Sequence, residues 1–213
     1  FRRVLFRSNT MVYPSAGIAN STGSAWGTSY TTNGTGTVVA LTTAATFNNP
    51  TISNYEKWTG QSTAPTASTG VEWYNSNNDC LSYWNSLGYE IDIGQQVDLI
   101  GYNNTGSTIA AGSVVYITGQ HSQQPTIALA EANSLSTASA IGITGQSIAN
   151  NSNGTIVVLG QLSSVNTSGF NAGDLLYLSA STPGGITNVA PTSPNYAVRV
   201  GFCAYSNPSN GVI

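Results

Sequence analysis

Few side chains in this chain could do chemistry, and they are scattered. The single histidine, His121, lies in the polar run Thr118-Gly-Gln-His-Ser-Gln-Gln124. A Ser-His-Asp triad could use it, but no Gly-x-Ser-x-Gly elbow accompanies it, so it reads as a solvated loop histidine. Among the carboxylates, Glu90, Asp92 and Asp98 lie nearest one another in sequence. On a strand, Glu90 and Asp92 would share one face about 7 Å apart. Paired carboxylates are what glycoside hydrolysis needs, yet the turn-rich neighbourhood offers nothing to raise either pKa. Asp174 follows Gly173 in a turn, a place where Asp is expected on structural grounds alone. One histidine and dispersed acids make no metal-ligand cluster. The glycines lack the Lys and the following helix of a phosphate loop. No catalytic residue, metal or cofactor is therefore expected, and the chain reads as a non-enzyme.

Binding is the remaining chemistry, and aromatic residues carry it. Val71-Glu-Trp-Tyr74 and Cys80-Leu-Ser-Tyr-Trp84 flank the turn-forming Asn75-Ser-Asn-Asn-Asp79, which predicts a β-hairpin. Trp73, Tyr74, Tyr83 and Trp84 could form a sugar-stacking platform. The simpler reading is that they pack the hairpin onto its neighbours, since cross-strand aromatic pairs stabilise sheets. The candidate ligand contacts are Trp73, Tyr74, Trp84 and His121. Cys80 and Cys203 have no Cys-x-x-Cys partner. A disulfide between them is open, but two small buried hydrophobes is the plainer reading.

The elements that must position these residues follow from composition and periodicity. Charged residues make up only 6% of the 213, against roughly 25% in an ordinary domain. No run of about twenty apolar residues is present to insert in a membrane. Ser, Thr, Asn, Gln and Gly stand in for the missing charge, which suits short strands and tight turns. Residues 1–8 differ from the rest: Arg2 to Ser8 looks like a translated sequencing adapter, and the segment is set aside as an artefact. That leaves Lys57 and Arg199 against eight acids, a balance that argues against binding nucleic acid.

Residues 9–70 are low in complexity and read as an extended stalk ending in the linker Gln61 to Gly70. Residues 71–94 hold the hairpin and the alternating strand Tyr89-Glu-Ile-Asp-Ile93. From 95 to 213, strand candidates recur at Val97–Tyr102, Ser113–Thr118, Thr126–Ala130, Ala140–Thr144, Thr155–Leu159, Leu175–Ser179 and Tyr196–Tyr205. Asn103-Asn-Thr-Gly106, Ala149 to Gly154 and Thr182-Pro-Gly-Gly185 separate some of them. Glu131 to Ala140 could hold one helical turn. The expected class is all-β: a stalk, an aromatic hairpin, then a barrel or sandwich.

That last region contains a repeat. Ala111-Gly-Ser-Val-Val-Tyr-Ile-Thr118 returns as Ala172-Gly-Asp-Leu-Leu-Tyr-Leu-Ser179. Ala140-Ile-Gly-Ile143 returns as Arg199-Val-Gly-Phe202, and Asn153-Gly-Thr-Ile156 as Asn210-Gly-Val-Ile213. The offsets are 61, 59 and 57 residues. Alternation predicts Val115, Ile117, Leu176 and Leu178 on the core face, with Tyr116 and Tyr177 opposite. Any ligand contact is expected in the loops around His121 and Asn150 to Asn153. The second copy is expected to end inside a strand, as in a fragment truncated at its C-terminus.

Taken in order, these pieces resemble tail-fibre and other virion proteins of tailed bacteriophages. The resemblance rests on Tyr13-Pro-Ser-Ala-Gly-Ile to Tyr30, Gly34-Thr-Gly-Thr-Val-Val-Ala-Leu41 and the aromatic hairpin. It continues through Gly94-Gln-Gln96, Tyr102 to Ile117, Leu175 to Thr187, Pro191 to Tyr196 and Val200-Gly-Phe-Cys203. It implies a homotrimeric fibre segment on the virion that contacts other virion proteins and supports attachment to a host cell-surface glycan or protein. It transfers no catalytic residue. A capsid decoration or head-fibre protein is the alternative, and a polysaccharide-degrading tailspike a more remote one.

Overall fold

The computed structural model describes residues 57–213. The adapter-like start and most of the expected stalk lie outside the described residues. The first sheet contains β1 (Gly60–Gln61), β2 (Glu72–Asn75), β3 (Cys80–Trp84) and β4 (Glu90–Asp92), in that spatial order. Turn chemistry sets the hairpin. The Asn75 side-chain oxygen accepts from the backbone N–H groups of Asn77 and Asn78, at 3.0 and 3.3 Å. Asp79 takes a left-handed φ of 53°, which Asp tolerates better than most residues. β1 pairs in parallel with β2, so the sheet reaches back into the stretch read as linker.

The next five strands close a barrel in the order β5-β7-β6-β8-β9. They are β5 (Gln96–Asn103), β6 (Val114–His121), β7 (Gln124–Leu129), β8 (Ala140–Thr144) and β9 (Ser152–Gly160). Ile109, Val115, Ile127, Ile148 and Ile156 fill it. β-Branched residues suit such a pleated interior. Glu131 to Ser139 forms linked turns, including one bond of helical spacing from Ala138 N to Ser134 O at 2.9 Å. Then β10 (Leu175–Leu178), β11 (Ile186–Thr187) and β12 (Arg199–Phe202) form a sheet of order β11-β10-β12.

The repeat is a repeat of structure, pair by pair. Val114 faces Ile143 and Val115 faces Gly142 across β6 and β8. Leu175 faces Phe202 and Leu176 faces Gly201 across β10 and β12. Both ladders slip one step later, before Tyr116 and before Tyr177. Tyr116 and Ile117 pair with Ala128 and Ile127, as Tyr177 and Leu178 pair with Thr187 and Ile186. The turn ahead of each strand matches too. Gly112 and Gly173 both have positive φ, 76° and 91°, which the Ala-Gly turn requires and glycine adopts without strain. Their N–H groups donate to Thr144 O at 2.8 Å and Cys203 O at 2.7 Å. Residues 96–160 and 161–213 are thus two copies of one β module. The first is a closed barrel, and the second has short strands at the same registers.

The modules share a core. Val114, Ala130, Ala132, Ile143 and Val157 from the first join Leu162, Val165 and Leu178 from the second in one buried cluster. Backbone bonds lock the contact: Val114 N donates to Gly184 O at 2.9 Å, and Gly184 N to Ala130 O at 2.7 Å.

Two sequence expectations need correction here. Ile117 is exposed, whereas Val114 is buried beside Val115. Plain alternation fails because the ladder slips after Val115, and because Val114 is covered by the other module. Asn153 and Gly154 also belong to β9, opposite Tyr102 and Gly101, and not to a loop.

Candidate functional site

The aromatic hairpin separates its four rings. Trp73 and Trp84 lie on one face, with ring centroids 5.3 Å apart and a tilt of 37°. Trp73 is only 1% exposed and so presents no open face to a sugar. Its Nε1 has no hydrogen-bond partner. Trp84 is half-buried, and its indole N–H donates to Pro65 O at 3.0 Å. Tyr74 points the other way along the strand. Its hydroxyl donates to Asp79, and that bond holds the phenol above its ordinary pKa. For Trp73, the packing alternative describes the residue.

Apart from the two indoles and Cys80, that sheet face is polar. Asn75, Ser82 and Asp92 are buried on it, with Glu90 half-buried beside them. The pairing of Ser82 with Asp92 and of Trp84 with Glu90 puts both carboxylates on this face, as alternation predicts. Each is engaged. Asn75 Nδ2 donates to Glu90 Oε1 at 2.7 Å. Asp92 accepts from Ser82 Oγ at 2.5 Å and from Asn78 Nδ2 at 2.7 Å. Burial nonetheless pushes the Glu90 pKa up, against the Asn75 hydrogen bond. Asp98, on β5, is pushed up to about 6, chiefly by burial, and its Oδ1 has no hydrogen-bond partner. A polar hollow of about 610 Å³ opens here, lined in part by Asn78, Glu90, Asp92, Gln161 and Ser163. Its carboxylates tie β2, β3 and β4 together through amide and hydroxyl donors. Among the described residues no three His, Cys, Asp or Glu side chains converge as a metal shell would need.

His121 sits at the end of β6, not in a loop, and its strand extends beyond the expected Thr118. A tight turn at Ser122, φ 55°, returns the chain to Gln124. The exposed imidazole stacks on Tyr102 of β5, with centroids 3.8 Å apart and planes within 8°. Tyr102 is the partner that the sequence did not suggest. Barrel closure brings it there, because β5 pairs in parallel with β7 at Tyr102 and Thr126. The other expected contact loop is partly occupied: Asn150 Oδ1 accepts from Gly106 N at 2.8 Å. Asn153 Oδ1 is buried without a partner. The four candidate contacts thus fall in two places, three on the hairpin sheet and His121 on the barrel.

A second hollow, of about 490 Å³, runs between the modules and is lined mostly, not wholly, by apolar side chains. Ile143, Val157, Val200, Phe202 and Ile213 line it, with Leu159 at an exposed position. Cys80 and Cys203 are buried free thiols in different parts of the fold. Burial raises the Cys80 pKa, which disfavours the reactive thiolate.

No family model matches the chain, and neither a curated protein nor a solved structure matches it.

Proposed function

We propose that the chain is a non-enzymatic structural segment of a phage virion, a tail-fibre piece that supports host attachment as a homotrimer. The observation that carries this reading is the tandem β module, duplicated in register and docked copy on copy through an apolar face. Repeated small modules with few charges extend a shaft and present loops, and do not require a reaction centre. The engagement of Glu90 and Asp92 by Asn and Ser donors supports a scaffold role for the acids. The ordered words of the sequence supply the virion assignment. Host contact is assigned to exposed surface, with His121 on Tyr102 as the aromatic element open to a ligand.

Size-exclusion chromatography with light scattering tests the assembly. A trimer is expected, about three times the 22.0 kDa chain mass. A monomer at every concentration overturns the fibre reading. Cleavage of a host glycan that Glu90→Gln or Asp92→Asn abolishes would return the chain to the enzymes.

A further inference from the structure

The first module carries an arm that the second lacks. Beyond the matched pairs at Tyr116 and Ile117, β6 and β7 go on pairing at Gly119 and Thr126, Gln120 and Pro125, and His121 and Gln124. In the second module the pairing of β10 and β11 stops at Leu178 and Ile186. The stretch after it folds back on itself: Ser179 Oγ accepts from Ser181 N at 3.2 Å and from Thr182 N at 3.0 Å. Strand β5 closes the barrel on Thr126 and Ile127, so Gln120 to Pro125 projects past the closing contacts. Neither the module registers nor the closure requires the tip of the arm.

The tip is chemically uniform. His121 pairs with Gln124, and Tyr102 with Thr126 two residues further along β7, so alternation places all four side chains on one face. That face is the outer one, because a Cβ at the preceding Gly101 would meet Ile156 and Ile127 of the interior. The imidazole lies flat on the Tyr102 ring at 3.8 Å, and its other face is turned to solvent. Side chains of Gln120, His121, Gln123 and Gln124 hydrogen-bond to none of the described residues. Elsewhere amides are tied into turns, as Asn75 and Asn103 are. Charge is nearly absent. No Lys or Arg occurs between Lys57 and Arg199, and Asp98 and Glu131 are the only acids between Gln96 and Gly160.

We propose that this tip binds a neutral saccharide, with a pyranose ring against the open face of His121 and its hydroxyls bonded by Gln123 and Gln124. An aromatic face offers apolar contact to the C–H face of a sugar. A Gln amide both donates and accepts, as a hydroxyl does. Tyr102 holds the imidazole in place, which lowers the ordering cost of binding. Phosphate, sulfate or carboxylate groups would find no cation on the barrel. A protein partner would need an apolar centre, and Thr118 to Gln124 offers none. The inference rests on the host-contact part of the reading above and names its ligand class.

Binding of the intact chain to a panel of immobilised neutral and acidic oligosaccharides tests it. At least one neutral oligosaccharide is expected to bind, with little change when salt is raised, since no charge is used. His121→Ala and Tyr102→Ala should each weaken that binding about tenfold, with the unfolding midpoint unchanged. Tyr102→Phe keeps the stack and should stay within about twofold. The wild-type chain has one histidine, so its ring protons in the NMR spectrum report the site directly and should shift as the bound oligosaccharide is added in free form. A panel with no glycan bound overturns the proposal, as does binding confined to acidic glycans. So does a neutral glycan whose binding survives His121→Ala or leaves the histidine resonances unmoved, and so does tighter binding of a single-stranded oligonucleotide. Light scattering is read separately: a trimer that binds no glycan fails this inference alone, and a monomer that binds one fails the fibre reading alone.

Discussion

The two modules share a register but not an environment, and the difference shows which residues make a module and which make a neighbour. Val115 and Leu176 are buried in both copies, so they belong to the module itself. Val114 and Leu178 are buried only where the other module covers them, and their counterparts Leu175 and Ile117 are open. Identical backbone pairing thus coexists with opposite burial. Strand pairing is decided within a module, while burial of the outward positions is decided by what lies alongside.

The sharpest way to break this comparison is to truncate matched positions. Leu178→Ala is expected to destabilise the chain by about 2–5 kcal/mol, because it opens a cavity in the shared core. Ile117→Ala at the matching site should change stability by less than about 0.5 kcal/mol, as open surface positions do. Denaturant unfolding of the two variants under conditions that hold the protein in one oligomeric state reads the difference. Equal losses would mean that the two sites are equally covered.

A smaller contrast comes from the glycines opposite Val115 and Leu176. A Cβ at Gly142 would come within 2.4 Å of the Val157 carbonyl oxygen, which is backbone and cannot give way cheaply. At Gly201 the nearest atom is Ile213 Cγ2 at 2.9 Å, the end of a side chain. Gly142→Ala should therefore cost about 1–3 kcal/mol by overpacking. Gly201→Ala should cost clearly less in the same unfolding experiment. A reversed order would show that the two β-ladders are not matched in tightness.

The smallest effect is in pH dependence, and it separates Asp98 from its second-module counterpart. Leu99 faces Ile156 in the first module, and Leu162 exchanges backbone bonds with Ile213 in the second. Asp98 therefore corresponds to Gln161. Burial raises the Asp98 pKa from an ordinary 3.8 to about 6 in the folded chain. Between those values the folded state holds the proton more tightly than the unfolded state. Stability then falls as pH rises from about 4 to about 6 and levels off above. Asp98→Asn should flatten that fall and leave the protein more stable at neutral pH. Thermal unfolding midpoints across about pH 4 to 7 measure it. An unchanged slope would assign the titration to Glu90, whose pKa burial also raises.

Much of the fold was legible. Asn-rich turns announced the aromatic hairpin, and the strict alternation of Tyr89 to Ile93 announced β4. The Ala-Gly-x-aliphatic-aliphatic-Tyr words located β6 and β10, because the same left-handed glycine begins both. The candidate site was less legible. Trp73 reads like Trp84 in sequence, and only the stacking of the sheet against its surroundings makes one nearly inaccessible. The partnership of His121 with Tyr102 requires β5 beside β7, a parallel pairing with β6 intervening in sequence. No local pattern encodes such a closure.

Sequence alone determined the all-β class, the duplicated module and the turns that phase it, because side-chain alternation and glycine conformation are local properties. Tertiary structure decided that the first copy closes as a barrel, that Glu90 and Asp92 are held by amide and hydroxyl donors, and that Val114 is buried while Leu175 is open. Those outcomes depend on which surfaces meet across long sequence separations. Two copies with the same local pattern differ there for one physical reason: among the described residues one apolar face has a neighbour, and its duplicate has none.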